Sequence, residues 1–378
     1  MRIAIDYTPA IAQSAGIGRY TRELVAALIR IDSADRFTLF SAERPTAERS
    51  LPEAPNIRAR VVPIGNRNLT ILWQRLHAPI PAELLMGNAD VLHGPDFILP
   101  PVARMPSVVT VHDVAFLTHP DCAVPSLARY LSMVVPRAVR AAERVIAVSQ
   151  RTAADLTALL DVAPKKLTVI PNGIAPRFSG ARDEAAIARL RAVYRIEGPA
   201  VLAVGTIEPR KNYARLIAAF AEARRTSGGP RTLVIAGRKG WLYDDVFEAV
   251  ERCHVSDGVR FLDYVPDEDL PSLYHAADLL AIPSRYEGFG IPAAEAMASG
   301  LPVVYGDAGA LPEVVGDAGL AVPPEDAAAL TEALLRGIQD VALREQMVAR
   351  GRERAAGLTW EAAALAHLQV YRTAAGAA

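Results

Sequence analysis

The sequence predicts an α/β protein built as two doubly wound, parallel-sheet domains, and three observations carry that expectation. Its 378 residues exceed what one compact core usually holds. Short β-branched runs alternate with Ala/Leu/Arg-rich helical runs, the pattern of parallel strands covered by helices on both faces. The alternation occurs twice, on either side of "PNGIAPRFSGARDEAAI" (171–187), whose Pro, Gly and charge content reads as an interdomain connection. The first domain is accordingly assigned to 1–175 and the second to 176–358.

In chain order, the first half offers strands at "RIAID" (2–6), "RFTLFS" (36–41), "IRARVV" (57–62), "DVLH" (90–93), "SVVTVH" (107–112), "RVIAVS" (144–149) and "LTVIP" (167–171). The second half restarts with "PAVLAVG" (199–205) and continues through "TLVIAG" (232–237), "VRFLDY" (259–264), "LLAIP" (279–283), "PVVYG" (302–306) and "GLAVP" (319–323). A last helix from about Thr359 carries Trp360, Leu365, Leu368 and Tyr371 at helical spacing, an apolar face to bury. No fixed-period repeat is evident.

"SAGIGRYTREL" (14–24) has the look of a phosphate loop feeding a helix. The dinucleotide fingerprint Gly-x-Gly-x-x-Gly has Thr21 in place of its third glycine here, and Gly16 sits ten residues past Asp6, the last strand residue. Both departures argue against a nicotinamide cofactor. What remains is a glycine turn at a helix start, either a plain tight turn or one that brings backbone N–H groups of Gly16 and Gly18 to an anion.

With 51% hydrophobic and 22% charged residues the chain forms cores and is not disordered. Its 41 basic and 42 acidic residues nearly cancel, which argues against a nucleic-acid partner held by phosphate neutralisation. Cys122 and Cys253 form no Cys-x-x-Cys, so neither a disulfide framework nor a zinc site is expected, and a reducing, cytoplasmic compartment fits. No signal peptide is expected from the first residues, and proline or charge interrupts every long apolar stretch. The segment "RNLTILWQRLHAPIPAELL" (67–85) reads two ways. It is a buried helix with a solvated rim, or Leu72, Trp73 and Leu76 beside Arg67 and Arg75 form a face for peripheral contact with the inner side of the cell membrane.

In open α/β sheets ligands bind beyond the carboxyl ends of strands, and two such domains are expected to face each other across a cleft. The polar residues at those ends are few: Gly16 and Gly18, His93, His112 and Asp113, Arg210 and Lys211, and Glu287. "GTIEPRKN" (205–212) places Arg210 and Lys211 at the mouth of a helix, where cations oppose the helix dipole. That is sensible if an anion such as a diphosphate occupies the site, and the alternative is a solvated basic turn. "SRYEGFGIPAAEAMASGLPVV" (284–304) puts Glu287 in a loop and Glu295 in the following helix, seven residues between them, with Gly288 and Gly290 framing Phe289. Carboxylates accept hydrogen bonds from sugar hydroxyls, although Glu295 near a helix start also suits the dipole.

Together with "VTVHDVAF", "RVIAVSQRTAADL" and "KKLTVIPNGI", these two motifs make the chain resemble family 4 of the retaining nucleotide-sugar glycosyltransferases over nearly its whole length. The resemblance implies the GT-B fold, with the C-terminal helix 359–378 returning to the first, acceptor-binding domain and the second domain binding the donor. By the same resemblance, Arg210, Lys211 and the Gly16–Gly18 loop hold the donor diphosphate and Glu295 the ribose. Glu287 holds the transferred sugar with Gly288, Phe289 and Gly290, and His112 lies beneath the reactive carbon. The base would rest near Arg238, Lys239, Tyr264 and Val265. Many relatives carry arginine after the glycine equivalent to Gly205; this chain has Thr206, which leaves more of the phosphate charge to Arg210.

A covalent glycosyl intermediate needs a carboxylate under the anomeric carbon, and no convincing nucleophile is present. The family implies front-face displacement, the leaving diphosphate accepting the acceptor's proton. No cofactor and no metal are expected, since fixed cations replace the metal; "DED" (267–269) reads as a helix start. The "GIGRY…HDVAF…VIPNGI" version resembles bacterial mannosyltransferases of surface polysaccharide assembly. That implies GDP-mannose as donor and a glycan or lipid-linked saccharide as acceptor. A UDP-hexose donor, a GT-B phosphorylase or epimerase, and a non-catalytic sugar-nucleotide sensor are the alternatives.

Overall fold

The computed structural model describes residues 1–14, 16–31, 34–46, 49–62, 64–76 and 78–376. Two all-parallel sheets organise them. The first contains β1 (Arg2–Asp6), β2 (Arg36–Ser41), β3 (Ile57–Val61), β4 (Val91–Gly94), β5 (Ser107–Val111), β6 (Arg144–Ala147) and β7 (Leu167–Val169), in the order β3-β2-β1-β4-β5-β6-β7. The second contains β8 (Ala200–Val204), β9 (Thr232–Ala236), β10 (Val259–Phe261), β11 (Leu279–Ile282), β12 (Val303–Gly306) and β13 (Gly319–Val322), in the order β10-β9-β8-β11-β12-β13. Every expected strand run forms a strand. Central strands such as "SVVTV" and "TLVIA" are buried at every residue, so they read as continuous apolar runs and do not alternate.

Both sheets reverse their strand order once, between β1 and β4 and between β8 and β11. In such sheets the loops that leave the two strands on either side of the reversal diverge and open a crevice. Asp6 ends β1 and Asp96 follows β4; the loops at 205–212 and 283–290 follow β8 and β11.

The chain divides into two compact units, one of residues 1–114, 129–173 and 359–378, the other of 115–128 and 174–358. The expected bounds 1–175 place 115–128 in the first domain. The segment belongs with the second unit for specific reasons. The Trp241 indole N–H donates to the Cys122 carbonyl at 2.8 Å, His119 packs on the Tyr286 ring at 5.4 Å, and Arg285 lies 3.5 Å from Asp121.

The C-terminal helix spans Trp360–Ala374; residues 377–378 of the expected 359–378 lie outside the described residues. Thr359 caps it by accepting from the Ala362 N–H, and Trp360, Leu368 and Tyr371 pack into the first unit's core. Leu365 does not join them and is 59% exposed. At 100° per residue it falls roughly 140° from Trp360, whereas Leu368 and Tyr371 fall within about 80°.

In segment 67–85, with His77 outside the described residues, the buried-helix reading accounts for part of the apolar set, and Trp73 is not available to an exposed face. A helix (Asn66–Thr70) runs into a widened turn (Ile71–Arg75), burying Leu69 and Trp73, whose indole donates to the Ile80 carbonyl at 3.0 Å. Leu76 and Leu84 stand exposed.

Candidate active site

In the first unit, Gly16 occupies the left-handed region at φ +55° immediately before the helix Ile17–Ile31, a conformation suited to glycine. Gly18 is required for another reason. A Cβ there would stand 2.1 Å from the Gln13 carbonyl oxygen and 2.7 Å from that of Pro9, so it permits close approach of the short helix Thr8–Ala12.

His112 follows β5 and is half-buried. Its Nε2–H donates to the Pro95 carbonyl at 2.7 Å, which makes Nδ1 the acceptor of the neutral ring. Burial holds its pKa below the usual histidine value, against the opposing effects of that carbonyl and of Asp113. Tyr20 meets the ring edge-on at 4.7 Å, and Phe97, itself at φ +58°, meets it at 5.6 Å. An aromatic residue in the left-handed region costs about 1–3 kcal/mol and persists only where its surroundings demand it.

His93 is displaced from its expected role. It lies within β4, fully buried, and bonds to Thr110 and Tyr371, because the strand continues one residue beyond it to Gly94. Two residues missed in the sequence flank the first sheet's reversal instead. Burial, with the charge of Asp6, raises the Asp96 carboxyl to about 6, although Gln13 donates to it at 2.9 Å.

In the second unit the loops after β8 and β11 meet in a buried ionic cluster. Lys211 Nζ donates to Glu287 Oε1 at 2.7 Å, Arg210 Nη1 to Glu287 Oε2 at 3.0 Å and to the Tyr286 carbonyl at 2.8 Å, and Ser284 Oγ to Glu287 Oε1 at 2.7 Å. Arg210 also donates to Glu208. Gly205, at φ +147°, makes room: a Cβ would come 3.0–3.2 Å from the end of Lys211 and the Tyr213 hydroxyl. The solvated-turn alternative fails, since Lys211 is only 8% exposed. Burial alone would raise the Glu287 pKa, yet the two cations outweigh it and lower the carboxyl to about 2. The anion that answers the two cations is therefore supplied first by the protein itself. Glu208 and Ser284 lie within three residues of their partners Arg210 and Glu287, so the signal was local, but it gains meaning only when the two loops meet.

Gly288, Phe289 and Gly290 are buried, and Gly290, at φ +92°, precedes the helix Ile291–Ala298. Glu295 lies inside that helix, 1% exposed, and accepts from the Tyr274 hydroxyl at 2.9 Å. The two glutamates thus have different partners. After β9 and β10, the exposed Arg238 guanidinium stacks over the Tyr264 ring at 5.0 Å, Lys239 lies 4.5 Å from the Phe247 ring, and Val265 is buried. Asp269 precedes the helix Leu270–Ala276 without a side-chain cap and pairs with Arg189. Among the described residues no group of three or more His, Cys, Asp or Glu can hold a metal ion.

Residues 188–354 match the family described as glycosyl transferases group 1, and residues 14–178 match glycosyltransferase family 4. The O-antigen chain mannosyltransferase B of Escherichia coli is 30% identical over 380 residues, 98% of this chain and 100% of that protein. Among solved structures, a sucrose-phosphate synthase from Thermosynechococcus elongatus is similar with a TM-score of 0.79 at 24% identity over 100% of both chains. Anabaena HepE in complex with UDP and glucose is similar with a TM-score of 0.76 at 20% identity, covering 99% of this chain and 100% of that one.

Proposed function

The chain belongs to the group 1, family 4 glycosyltransferases and has the GT-B fold, and from that premise we propose that it is a retaining mannosyltransferase. In this reading it moves mannose from GDP-mannose to a hydroxyl of a glycan or lipid-linked saccharide. The full-length likeness to an O-antigen chain mannosyltransferase carries the choice of sugar.

The diphosphate falls to Arg210 and Lys211. One of the three Lys211 N–H donors goes to Glu287, which orients the ammonium and leaves two for phosphate oxygens. As the bond to the sugar breaks, negative charge grows on the departing diphosphate, and these fixed cations stabilise it without reorganising. The acceptor hydroxyl attacks from the same face and passes its proton to the leaving oxygen, so configuration is retained. Neutral His112 offers Nδ1 as a hydrogen-bond acceptor to a sugar hydroxyl. Glu287 backs the clamp, Glu295 takes the ribose hydroxyls, and the Arg238–Tyr264 stack takes the base. The Asp6 and Asp96 carboxylates serve the acceptor side as hydrogen-bond acceptors for its hydroxyls.

A UDP-hexose donor is the second reading, favoured by the likeness to HepE bound to UDP and glucose. Among the described residues no helix is long and apolar enough to cross a membrane. Leu76 and Leu84 are exposed, as are Arg67 and Arg75 in the same stretch of chain, and these exposures support peripheral contact with a lipid surface carrying the acceptor.

A panel of nucleotide sugars, read by nucleoside diphosphate release and thermal stabilisation with and without a chelator, tests the proposal. GDP-mannose should both stabilise and turn over, and turnover should survive chelation. Turnover with UDP-glucose alone selects the second reading; stabilisation without turnover selects a sensor.

A further inference from the structure

The first unit's core contains a set of polar side chains that the proposed chemistry does not use. His93, Thr110 and His367 are fully buried, and so are Tyr20 and Tyr371. Their bonds leave one consistent arrangement of protons. His367 Nδ1 lies 2.7 Å from the Ala363 carbonyl, which only accepts, so the proton is on Nδ1 and Nε2 is an acceptor. The Tyr20 hydroxyl, 2.8 Å away, must then donate to Nε2. Its oxygen accepts from Thr110 at 3.1 Å, Thr110 accepts from His93 Nε2–H at 2.8 Å, and His93 Nδ1 accepts from the Tyr371 hydroxyl at 2.8 Å.

The chain of bonds runs one way, from Tyr371 to Ala363. Both ends lie on the C-terminal helix, and the middle passes through β4, β5 and the helix Ile17–Ile31. Each donor is used once, and both histidines are neutral. A buried network satisfied in this way is rigid, whereas one missing member leaves unpaired polar groups in a low-dielectric core.

Tyr20 is where this network meets the candidate site. Its hydroxyl is fixed by Thr110 and His367, and its ring stands at 85° to the His112 ring, 4.7 Å away. We propose that Tyr371, His93, Thr110, Tyr20 and His367 form a one-directional hydrogen-bonded circuit that fastens the C-terminal helix to the first sheet and sets the position of His112. Tyr20 is then a positioning residue for the reaction, and the last helix is part of the site's scaffold. The role in the reaction rests on the transferase reading above; the circuit and its hold on His112 do not.

Two measurements on the full chain separate these. Histidine ¹⁵N NMR should show the proton on Nε2 of His93 and on Nδ1 of His367. Thr110→Val should shift the His112 ring signals, and Thr110→Ser should restore them. The opposite tautomer at His93 or His367, or unaltered His112 signals in a folded Thr110→Val protein, overturns the circuit. With the donor found by the nucleotide-sugar panel, Thr110→Val should lower kcat roughly tenfold or more while the donor KM stays within about twofold, because only placement is disturbed. Thr110→Ser should recover wild-type kcat. Unchanged kcat in folded Thr110→Val overturns the positioning role. If Thr110→Val does not fold, Tyr20→Phe, which keeps the ring and removes the hydroxyl, gives the same two readouts. A wild-type protein that turns over no donor while the NMR results hold defeats the transferase reading and leaves the circuit standing.

Discussion

The ammonium of Lys211 lies 2.7 Å from a carboxylate oxygen of Glu287, 76 residues further along the chain, and Arg210 holds the other oxygen at 3.0 Å. The pair joins the two loops that flank the second sheet's strand reversal. It is at once a structural clasp and a pre-oriented charge.

Glu287→Gln should therefore lose stability and turnover together. Removing one partner of a buried ion pair strands the other, at a cost on the order of 3 kcal/mol. The carboxyl is lowered from 4.5 to about 2, so its contribution is complete above pH 4.5 and is lost as pH falls through about 2. Free nucleoside diphosphate should still bind, since both cations remain and a competing negative charge is gone. Melts across pH and calorimetry with free nucleotide check this; a large loss of nucleotide affinity would show that binding of the free nucleotide itself depends on the orientation Glu287 gives the cations.

Arg210→Ala and Lys211→Ala should each lower turnover by roughly 10²–10³, the scale for removing a donor that stabilises developing charge. Steady-state rates at saturating donor, on variants whose circular dichroism matches the wild type, measure it. Wild-type turnover in both would remove the clamp from the mechanism.

The strands were readable because parallel strands buried on both faces are written as short apolar runs, as in "TLVIA". The site was readable only as separate pieces. Arg210, Lys211 and Glu287 stood out by type and place, but their mutual pairing depends on the β8–β11 adjacency, which no local pattern encodes. His93 misled because a histidine near a strand end reads the same whether it opens to solvent or is closed off by a distant helix. Tyr20 drew no notice at all, being an aromatic residue at an ordinary helix-core position.

Leu76→Glu together with Leu84→Glu should abolish binding to vesicles containing anionic lipid while leaving turnover with a soluble acceptor intact. Both side chains are exposed, 68% and 75%, so the changes remove no core contact. Vesicle co-sedimentation at low and high salt reads the effect. Equal sedimentation of the double variant and the wild type would remove this face from any membrane contact.

Acid should loosen the C-terminal helix before it disturbs the Lys211–Glu287 pair. Burial, assisted by the nearby His112, lowers His367 from 6.5 to about 4, and burial with His367 and His112 lowers His93 well below its usual value. The titratable groups around the two histidines are each other, His112, Tyr20 and Tyr371, with Asp113 acting on His112. An unfolded chain binds protons at these histidines below about pH 6.5 while the folded one does not. Their contribution is therefore full above that pH and declines as pH falls towards 4, by about 3 kcal/mol for His367 alone. The proton also has no place to go, since His367 Nε2 already accepts from Tyr20. Urea unfolding between pH 7.5 and 4.5, followed by fluorescence of the buried Trp360 at the start of the helix, should show stability falling through this window. His367→Gln, which removes one titration, should start lower at pH 7.5 and fall less steeply. An equally steep fall in that variant would mean that His367 is not the group whose protonation releases the helix.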